Sequence, residues 1–590
     1  MPSHRLDIQN LALRISPSLH PPILPAPTVP ARTDTTGFFR SVLAAGVLRR
    51  PDTPHLGGEV GRQSRALADQ PAAGHGAVRA GGVIGETRSV LLSPSTADAL
   101  RTALTTAGYT TDGVRDLLGP GAHAALGRGE VEPAFRAAAG GGELGVLVRL
   151  LLLGAVEGDA AVTAALGTPS ALEAAGLLAR DGDGWRAVLD LRPYGVDAGD
   201  EPGSDWWVLS DLDLRRQDRD HVTGVGAASL TLAAATVRRP AGSLLDLGTG
   251  CGVQALHATR HARAVTGTDL APRALALARA TFALNDLDVE LVEGPWMEPV
   301  AGRRFDQIVS NPPFVPGPAR VDYVYRDSGQ DGDAALAALI ADLPGYLEPG
   351  GVAQLLGSWL HVRGEDWPDR VRSWLPDGVD AWIIQREVAD PDLHVGTWQR
   401  DAGLDLASPT ARAQAGAWLD WMDAARVEAI GFGMITLRRP DEGRTDGPGT
   451  VVFEDLPGAV DDPLGPEVEG WLDRVDWLRA HAGDDALLDA RLTVAPSVVL
   501  ERWADHRAEP GAEGWAEAGA AVARTDGPRW RHEVDEPAAA LLAGCSGALP
   551  LRDLVELLAF AHDRPADELV AATLPAVREL VRHGLLLPSS

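Results

Sequence analysis

The stretch Ser243–Asp269, "SLLDLGTGCGVQALHATRHARAVTGTD", decides the fold. Ser243 to Leu247 reads as a buried strand, and Gly248, Gly250 and Gly252 punctuate a tight turn before a helix opening at Val253. Glycine lets backbone approach a ligand where any side chain would collide. A second strand, "AVTGTD", ends at Asp269, about 21 residues past Gly248. A carboxylate at that strand tip can accept hydrogen bonds from both hydroxyls of a ribose. Strand, loop, helix, strand and terminal acid form one unit, and residues 205–440 continue its strand–helix alternation. That pattern predicts a parallel α/β sheet.

Two cofactor classes share such a unit. The glycines are spaced G-x-G-x-G rather than the G-x-G-x-x-G of nicotinamide dinucleotide sites, and the sequence after Asp269 does not resemble a dehydrogenase. A further stretch breaks a local rule. In "IVSNPPF" (Ile308–Phe314) two aliphatic residues end a buried strand, and a polar Asn, two prolines and an aromatic ring come at once after them. Proline offers no N–H and fixes φ, so the strand cannot continue in a ladder.

"LDLGTGCG", "GTDL" and "IVSNPPF", in this order, resemble a class I S-adenosylmethionine-dependent methyltransferase of the small-domain group. That group includes ribosomal RNA guanine and adenine N-methyltransferases and is similar to the release-factor glutamine N-methyltransferases. The resemblance implies a Rossmann-like, mostly parallel seven-stranded sheet with S-adenosyl-L-methionine as cofactor. By position, Asp246, Gly248, Gly250 and Gly252 would line the methionine side and Asp269 the ribose, with Thr249 and Leu270 as further cofactor-binding residues. Where relatives often carry an acid for the adenine amine, Pro295 and Trp296 follow Gly294, so Trp296 either packs on the adenine or joins the core. His221–Ala233 matches the lead-in helix over the methionine end, with Gly224 and Gly226 as a hinge.

The same resemblance makes Asn311, Pro312, Pro313 and Phe314 the catalytic residues, with Asn311 also beside the cofactor. A planar NH2 group holds its lone pair in resonance and is a poor nucleophile. If the Asn311 side-chain oxygen and the Pro312 carbonyl accept its two hydrogens, the nitrogen faces the methyl group and gains sp3 character as the bond forms. Phe314 stacks on the planar target, and the prolines keep the carbonyl aimed. The next segment, "VPGPARVDYVYRDSGQDGD", offers Tyr323, Tyr325 and Arg326 for substrate contact, or a plain surface loop. "LEPGG" (Leu347–Gly351) reads as a turn before another strand, and neither His361 nor His394 has the spacing of a metal ligand.

For the substrate, Phe314 resembles the last motif position of guanine N2 methyltransferases, and an accessory amino-terminal domain resembles their layout. An exocyclic base amine of RNA is therefore the first expectation, with a glutamine amide of a translation release factor as the alternative. A catalytically silent module that keeps the fold is the reading from another class. The formal net charge of −29, with arginine as the only strongly basic side chain, opposes a generic nucleic-acid binder but not a local RNA site.

The flanks are less informative. Residues 1–90, rich in Pro, Gly and Ala, read as a disordered extension or as sequence upstream of the true start codon. Residues 91–204 read as a helical accessory domain. Ser95 and Asp98 form a capping-box-like start for a helix whose face is Ala99, Leu100, Ala103 and Leu104. A helix ending at Gly176 then leads into a hairpin turned at Asp181–Gly184, a winged-helix pattern. Residues 441–590 read as an acidic domain ending in a second winged-helix-like unit, helix, turn, helix and short strand, closing at Gly584. Two cysteines, Cys251 and Cys545, allow no disulfide framework, and the longest apolar run, Leu144–Val156, is short for a bilayer and contains Arg149. With no signal-peptide pattern at the amino terminus, the expectation is a cytoplasmic protein without membrane or metal.

Overall fold

The computed structural model describes residues 92–195, 205–212, 220–313, 315–320, 327–441, 448–507 and 514–589, together with Arg5–Leu6. The chain divides into two compact units, one ending at Trp207 and the other resuming at Val208.

In the first unit, the opening helix, Pro94–Thr106, is capped by Ser93, whose side chain accepts from the Thr96 amide at 3.1 Å. The expected Ser95 start is corrected by two residues, because Pro94 at the first helical position pre-sets φ and makes Ser93 the cap. The buried face shifts with it to Ala97, Leu100 and Leu104, leaving Ala99 exposed. Later, helices Asp159–Leu166 and Pro169–Ala174 lead through Gly176 (φ 79°) into the hairpin Leu178–Asp181 and Gly184–Ala187. A short strand, Glu157–Gly158, pairs with the second arm. Short strand, two helices and hairpin is the order a winged helix takes.

The second unit is built on one eight-stranded sheet. Its strands are β1 (Ala241–Leu247), β2 (Ala262–Asp269), β3 (Glu290–Glu293), β4 (Phe305–Ser310), β5 (Leu347–Val362), β6 (Asp380–Ala389), β7 (Val427–Arg438) and β8 (Val451–Asp455). The spatial order is β8-β6-β7-β5-β4-β1-β2-β3. Strands β1 to β5 run parallel, β7 is antiparallel to both β5 and β6, and β8 pairs in parallel with β6. The seven expected strands are thus present in a Rossmann-like arrangement, and β8 adds an eighth at the edge. Leu347–Gly351, expected as a turn, is instead the irregular start of β5; the pairing with β4 slips between Phe305 and Gln307.

Both faces of the sheet are covered, as parallel strands require. On one face Leu245, Ile308, Leu355 and Ile383 pack with Leu336, Leu339 and Ile340. On the other, Leu356, Trp382, Ile384 and Met434 share a core with Leu232 and with Trp471, Leu472, Val475 and Trp530 from beyond β8. Trp382 stacks between Trp471 (5.1 Å, 14°) and Trp530 (5.9 Å, 20°). Removing one such indole costs about 3–5 kcal/mol in cavity and transfer terms. The carboxy-terminal segment therefore completes the sheet's own core. Its helices Leu551–Ala561 and Ala566–Arg582 lead through Gly584 (φ 68°) to strand Leu586–Pro588, which pairs with Arg491–Val494.

Candidate active site

The glycine loop connects β1 to the helix α1 (Val253–Ala258). Gly248 (φ 74°), Gly250 (φ 56°) and Gly252 (φ 93°) all lie in the left-handed region. They differ in what surrounds them. A Cβ on Gly252 would stand 2.6 Å from the Phe282 ring, so packing inside the protein demands glycine there. A Cβ on Gly248 or Gly250 would meet nothing within 4 Å, so their open side is free to receive a ligand. The Gly248 and Thr249 amides donate to the Thr268 carbonyl at 2.9 and 2.8 Å, which fastens the loop to β2.

Asp246 is buried beneath the loop. Its Oδ2 accepts from the Thr249 hydroxyl at 2.7 Å and from the Ala255 amide at 3.0 Å. Burial pushes its carboxyl up to about 7 despite those bonds. Asp246 and Thr249 thus bond to one another and shape the loop from below. Asp269 ends β2 with Oδ2 accepting from the Gly250 amide at 2.9 Å and Oδ1 from the Ala271 amide at 2.9 Å. Burial raises its carboxyl too, and the backbone donors partly oppose it. Each oxygen keeps a lone pair for a further donor. Leu270, beside it, is 57% exposed.

The end of β3 folds back on this acid. The Gly294 amide donates to the Asp269 carbonyl at 3.0 Å, and Trp296 comes two residues later at φ 47°. A left-handed backbone is uncommon for a bulky residue, so the surrounding structure imposes it. Trp296 is half-buried against the core face.

Strand β4 brings the Asn-Pro-Pro turn to the same edge. Ser310 pairs with Leu247 in register, and its hydroxyl donates to the Leu247 carbonyl at 2.8 Å. Asn311 therefore stands next to Gly248, at adjoining strand tips. Among the described residues, its side-chain Oδ1 is buried without a hydrogen-bond partner. Pro312 is buried and Pro313 half-buried, while Phe314, Tyr323, Tyr325 and Arg326 lie outside the described residues.

Two features of the site were not legible in the sequence. Asp211 and Arg273 form a buried bidentate pair, with Nε to Oδ2 at 2.8 Å. Burial works against the Asp211 charge, but Arg273 and the Val222 amide (3.0 Å) hold its carboxyl below the ordinary range. This pair pins the segment before helix Ala227–Ala235 against the glycine loop, where the Cys251 thiol donates to the Thr223 carbonyl at 3.3 Å. At Gly224 a Cβ would stand 2.6 Å from the Ser210 hydroxyl, so the close approach of these two segments needs glycine there. The second feature is His394, bonded to the Pro316 carbonyl. Among the described residues, no group of three or more His, Cys, Asp or Glu is placed to hold a metal, and no helix is long and apolar enough to cross a membrane.

Comparison with known proteins agrees with this geometry. Residues 223–355 match the family model of the methyltransferase small domain. Residues 106–188 and 469–588 match two domains of unknown function, DUF7059 and DUF7782. A putative protein N5-glutamine methyltransferase of Methanocaldococcus jannaschii is 35% identical over 123 residues, covering 20% of this chain and 62% of that protein. A release factor glutamine methyltransferase of Deinococcus radiodurans is 41% identical over 123 residues, covering 19% of this chain and 44% of that protein. Ribosomal RNA small subunit methyltransferase C of Alcanivorax borkumensis is 32% identical over 117 residues, covering 20% of this chain and 32% of that protein. The chain thus spans less than two thirds of the length of each of these relatives. The resemblance carried by the glycine loop, Asp269 and the Asn-Pro-Pro turn rests on an independent match over the same residues.

Proposed function

We propose that this chain is an S-adenosylmethionine-dependent N-methyltransferase acting on a planar NH2 nitrogen of a macromolecule. The observation that carries the proposal is the buried Asn311 oxygen, unpartnered among the described residues, beside the open face of Gly248 and Gly250. A buried acceptor without a donor costs about 1–3 kcal/mol, and a substrate amine would supply the missing donor.

The residues fit the cofactor. Gly248 and Gly250 leave room above the loop, Asp246 and Thr249 hold the loop from below, and Asp269 retains acceptor capacity for ribose hydroxyls. Leu270, exposed after β2, and Trp296, half-buried after β3, would lie on the nucleoside side of the cofactor. When bound, S-adenosylmethionine supplies an electrophilic methyl group. Asn311 Oδ1 and the Pro312 carbonyl hold the two N–H groups of the acceptor and turn its lone pair toward that methyl. Phe314, with Pro313 stiffening the turn, would cover the plane of the target. The nitrogen's proton becomes acidic only after transfer and passes to water, so no general base is assigned.

An exocyclic base amine of RNA is the first substrate reading. A protein glutamine amide is the second, favoured by the chain's formal net charge of −29, a field that attracts a basic protein more than a phosphate backbone. Residues 91–204 and 441–590 would be accessory to the transferase domain, 205–440, and the setting would be cytoplasmic.

The test is transfer of labelled methyl from S-adenosylmethionine into lysate of a strain lacking the gene, separated into RNA and protein. Label in RNA supports the base-amine reading, and label in protein alone makes a side-chain amide the target. Cofactor binding with no transfer to either would leave a silent module, and no binding at all would refute the proposal.

A further inference from the structure

Between β6 and β7 the chain inserts two helices, α2 (Pro391–Asp401) and α3 (Pro409–Ala424). His394 on α2 is 0% exposed. Its Nε2 lies 3.1 Å from the Pro316 carbonyl oxygen, and its Nδ1 lies 3.2 Å from the Trp398 Nε1. An indole N–H only donates, so Nδ1 is the acceptor, and the ring's one proton sits on Nε2, donated to Pro316. The ring is packed by Trp398, Trp418 and Phe432 at centroid distances of 6.1, 6.1 and 5.9 Å.

The chain leaving the Asn-Pro-Pro turn is built into this cluster. Val315, directly after Phe314, is 6% exposed among Trp418, Met422 and Phe432. Gly317 lies on the Trp418 ring, where a Cβ would come within 2.7 Å, and its carbonyl accepts from the Gly332 amide at 2.9 Å. On the other side of the turn, Ser310 is bonded to Leu247. The residues Asn311–Pro313 thus stand between two anchors along the chain, one on β1 and one, at Val315–Gly317, on the inserted helices.

We infer that His394 is a positioning residue for this turn: through the Pro316 carbonyl it fixes where Asn311 presents its acceptor oxygen. The inference rests on the proposed role of Asn311 in methyl transfer. It has a physical scale, since a displacement of about 1 Å from near-attack geometry costs on the order of 100-fold in rate. His394 is not offered as a base, because it is buried and both ring nitrogens are engaged.

The test compares the full-length chain with His394→Phe, which keeps an aromatic ring and loses the donor, and His394→Gln, which restores a donor at similar reach. The first readout is hydrogen exchange at the Gly332 amide, which donates to the Gly317 carbonyl next to Pro316 and needs no substrate to report. His394→Phe is expected to speed exchange about tenfold, the worth of one hydrogen bond, and His394→Gln to recover most of it. Affinity for S-adenosylmethionine should stay within about threefold, while kcat on whichever acceptor the wild type labels should fall about 100-fold in His394→Phe and recover in His394→Gln. Exchange in His394→Phe equal to the wild type would overturn the inference, as would a kcat left unchanged. If His394→Phe fails to fold, Trp398→Phe removes the donor that sets the His394 tautomer and keeps a smaller aromatic ring against it. It should shift exchange in the same direction by a smaller amount, and no shift would likewise overturn the inference. A wild type that labels neither RNA nor protein refutes the transferase reading instead, and exchange still judges the tether.

Discussion

Asp269 Oδ2 accepts the Gly250 amide at 2.9 Å, so the acid at the β2 tip holds the glycine loop at the same place where it would hold a ribose. One carboxylate thereby sets the distance between the loop and the nucleoside side of the site. Removing it loses a cofactor contact and loosens the loop together. Asp269→Ala should weaken S-adenosylmethionine binding by on the order of 100-fold, from hydrogen bonds to a charged group worth about 1.5–3 kcal/mol each. Calorimetry with the wild type as reference checks this, and equal affinities would remove Asp269 from the ribose.

Asn311→Ala separates chemistry from binding. The side chain's acceptor has no partner among the described residues, so truncation breaks no described bond of its oxygen. Methyl transfer should fall by on the order of 10²–10³, the range seen when one aimed polar group is removed from a reacting centre. Cofactor affinity should change little. A transfer rate close to wild type at saturating cofactor would show that Asn311 does not hold the acceptor nitrogen.

The loop glycines should respond differently to one methyl group. Gly250→Ala meets no protein atom, so folding bears mainly the left-handed backbone penalty of about 1–2 kcal/mol, while cofactor binding loses its clearance. Gly252→Ala drives a Cβ against Phe282 at 2.6 Å and adds overpacking of about 1–3 kcal/mol to the same backbone term. Thermal midpoints should therefore drop further for Gly252→Ala. Equal midpoints with equal cofactor affinities would contradict this account of the loop.

A buried cluster at the sheet edge predicts a pH dependence. Glu454 on β8 accepts from the Trp530 indole at 3.2 Å and lies 3.1 Å from His583 Nε2, whose Nδ1 is 2.9 Å from His532 Nε2. Burial pushes the Glu454 carboxyl up to about 7 from an ordinary 4.5, and pushes His583 down to about 4 from 6.5. The raised acid stabilises the fold fully below about 4.5 and loses that contribution as pH rises through about 7; the depressed histidine loses its own as pH falls from about 6.5 through about 4. Glu454→Gln removes the first slope, which is the one that acts between about pH 5 and pH 8. Its thermal midpoint, relative to wild type, should be more favourable at about pH 8 than at about pH 5. Parallel midpoint curves would refute the assignment.

The legible parts of this protein are those where one short stretch carries its whole physical reason. Gly248, Gly250 and Gly252 announce a left-handed loop, Asp269 a polar strand tip, and Asn311 with its two prolines a strand that must stop. Even the helix at Pro94 is locally encoded, and the Ser95 expectation fails only because Ser93 and Pro94 compete better for the cap. Gly224 is visible as a glycine, but the reason for it, the Ser210 hydroxyl, is not.

The cofactor-type unit, its strand–loop–helix–strand order and the polar turn beside it are written locally in the chain, because backbone preference and hydrophobic period act over a few residues. Folding alone settles that Asp211 meets Arg273 across 62 positions, that His394 reaches Pro316 across 78, and that Trp382 is roofed by Trp471 and Trp530. Those contacts form where distant segments return to the same face of the sheet. A buried charge or ring takes whichever partner that return supplies, and nothing in its immediate neighbours along the chain specifies which one.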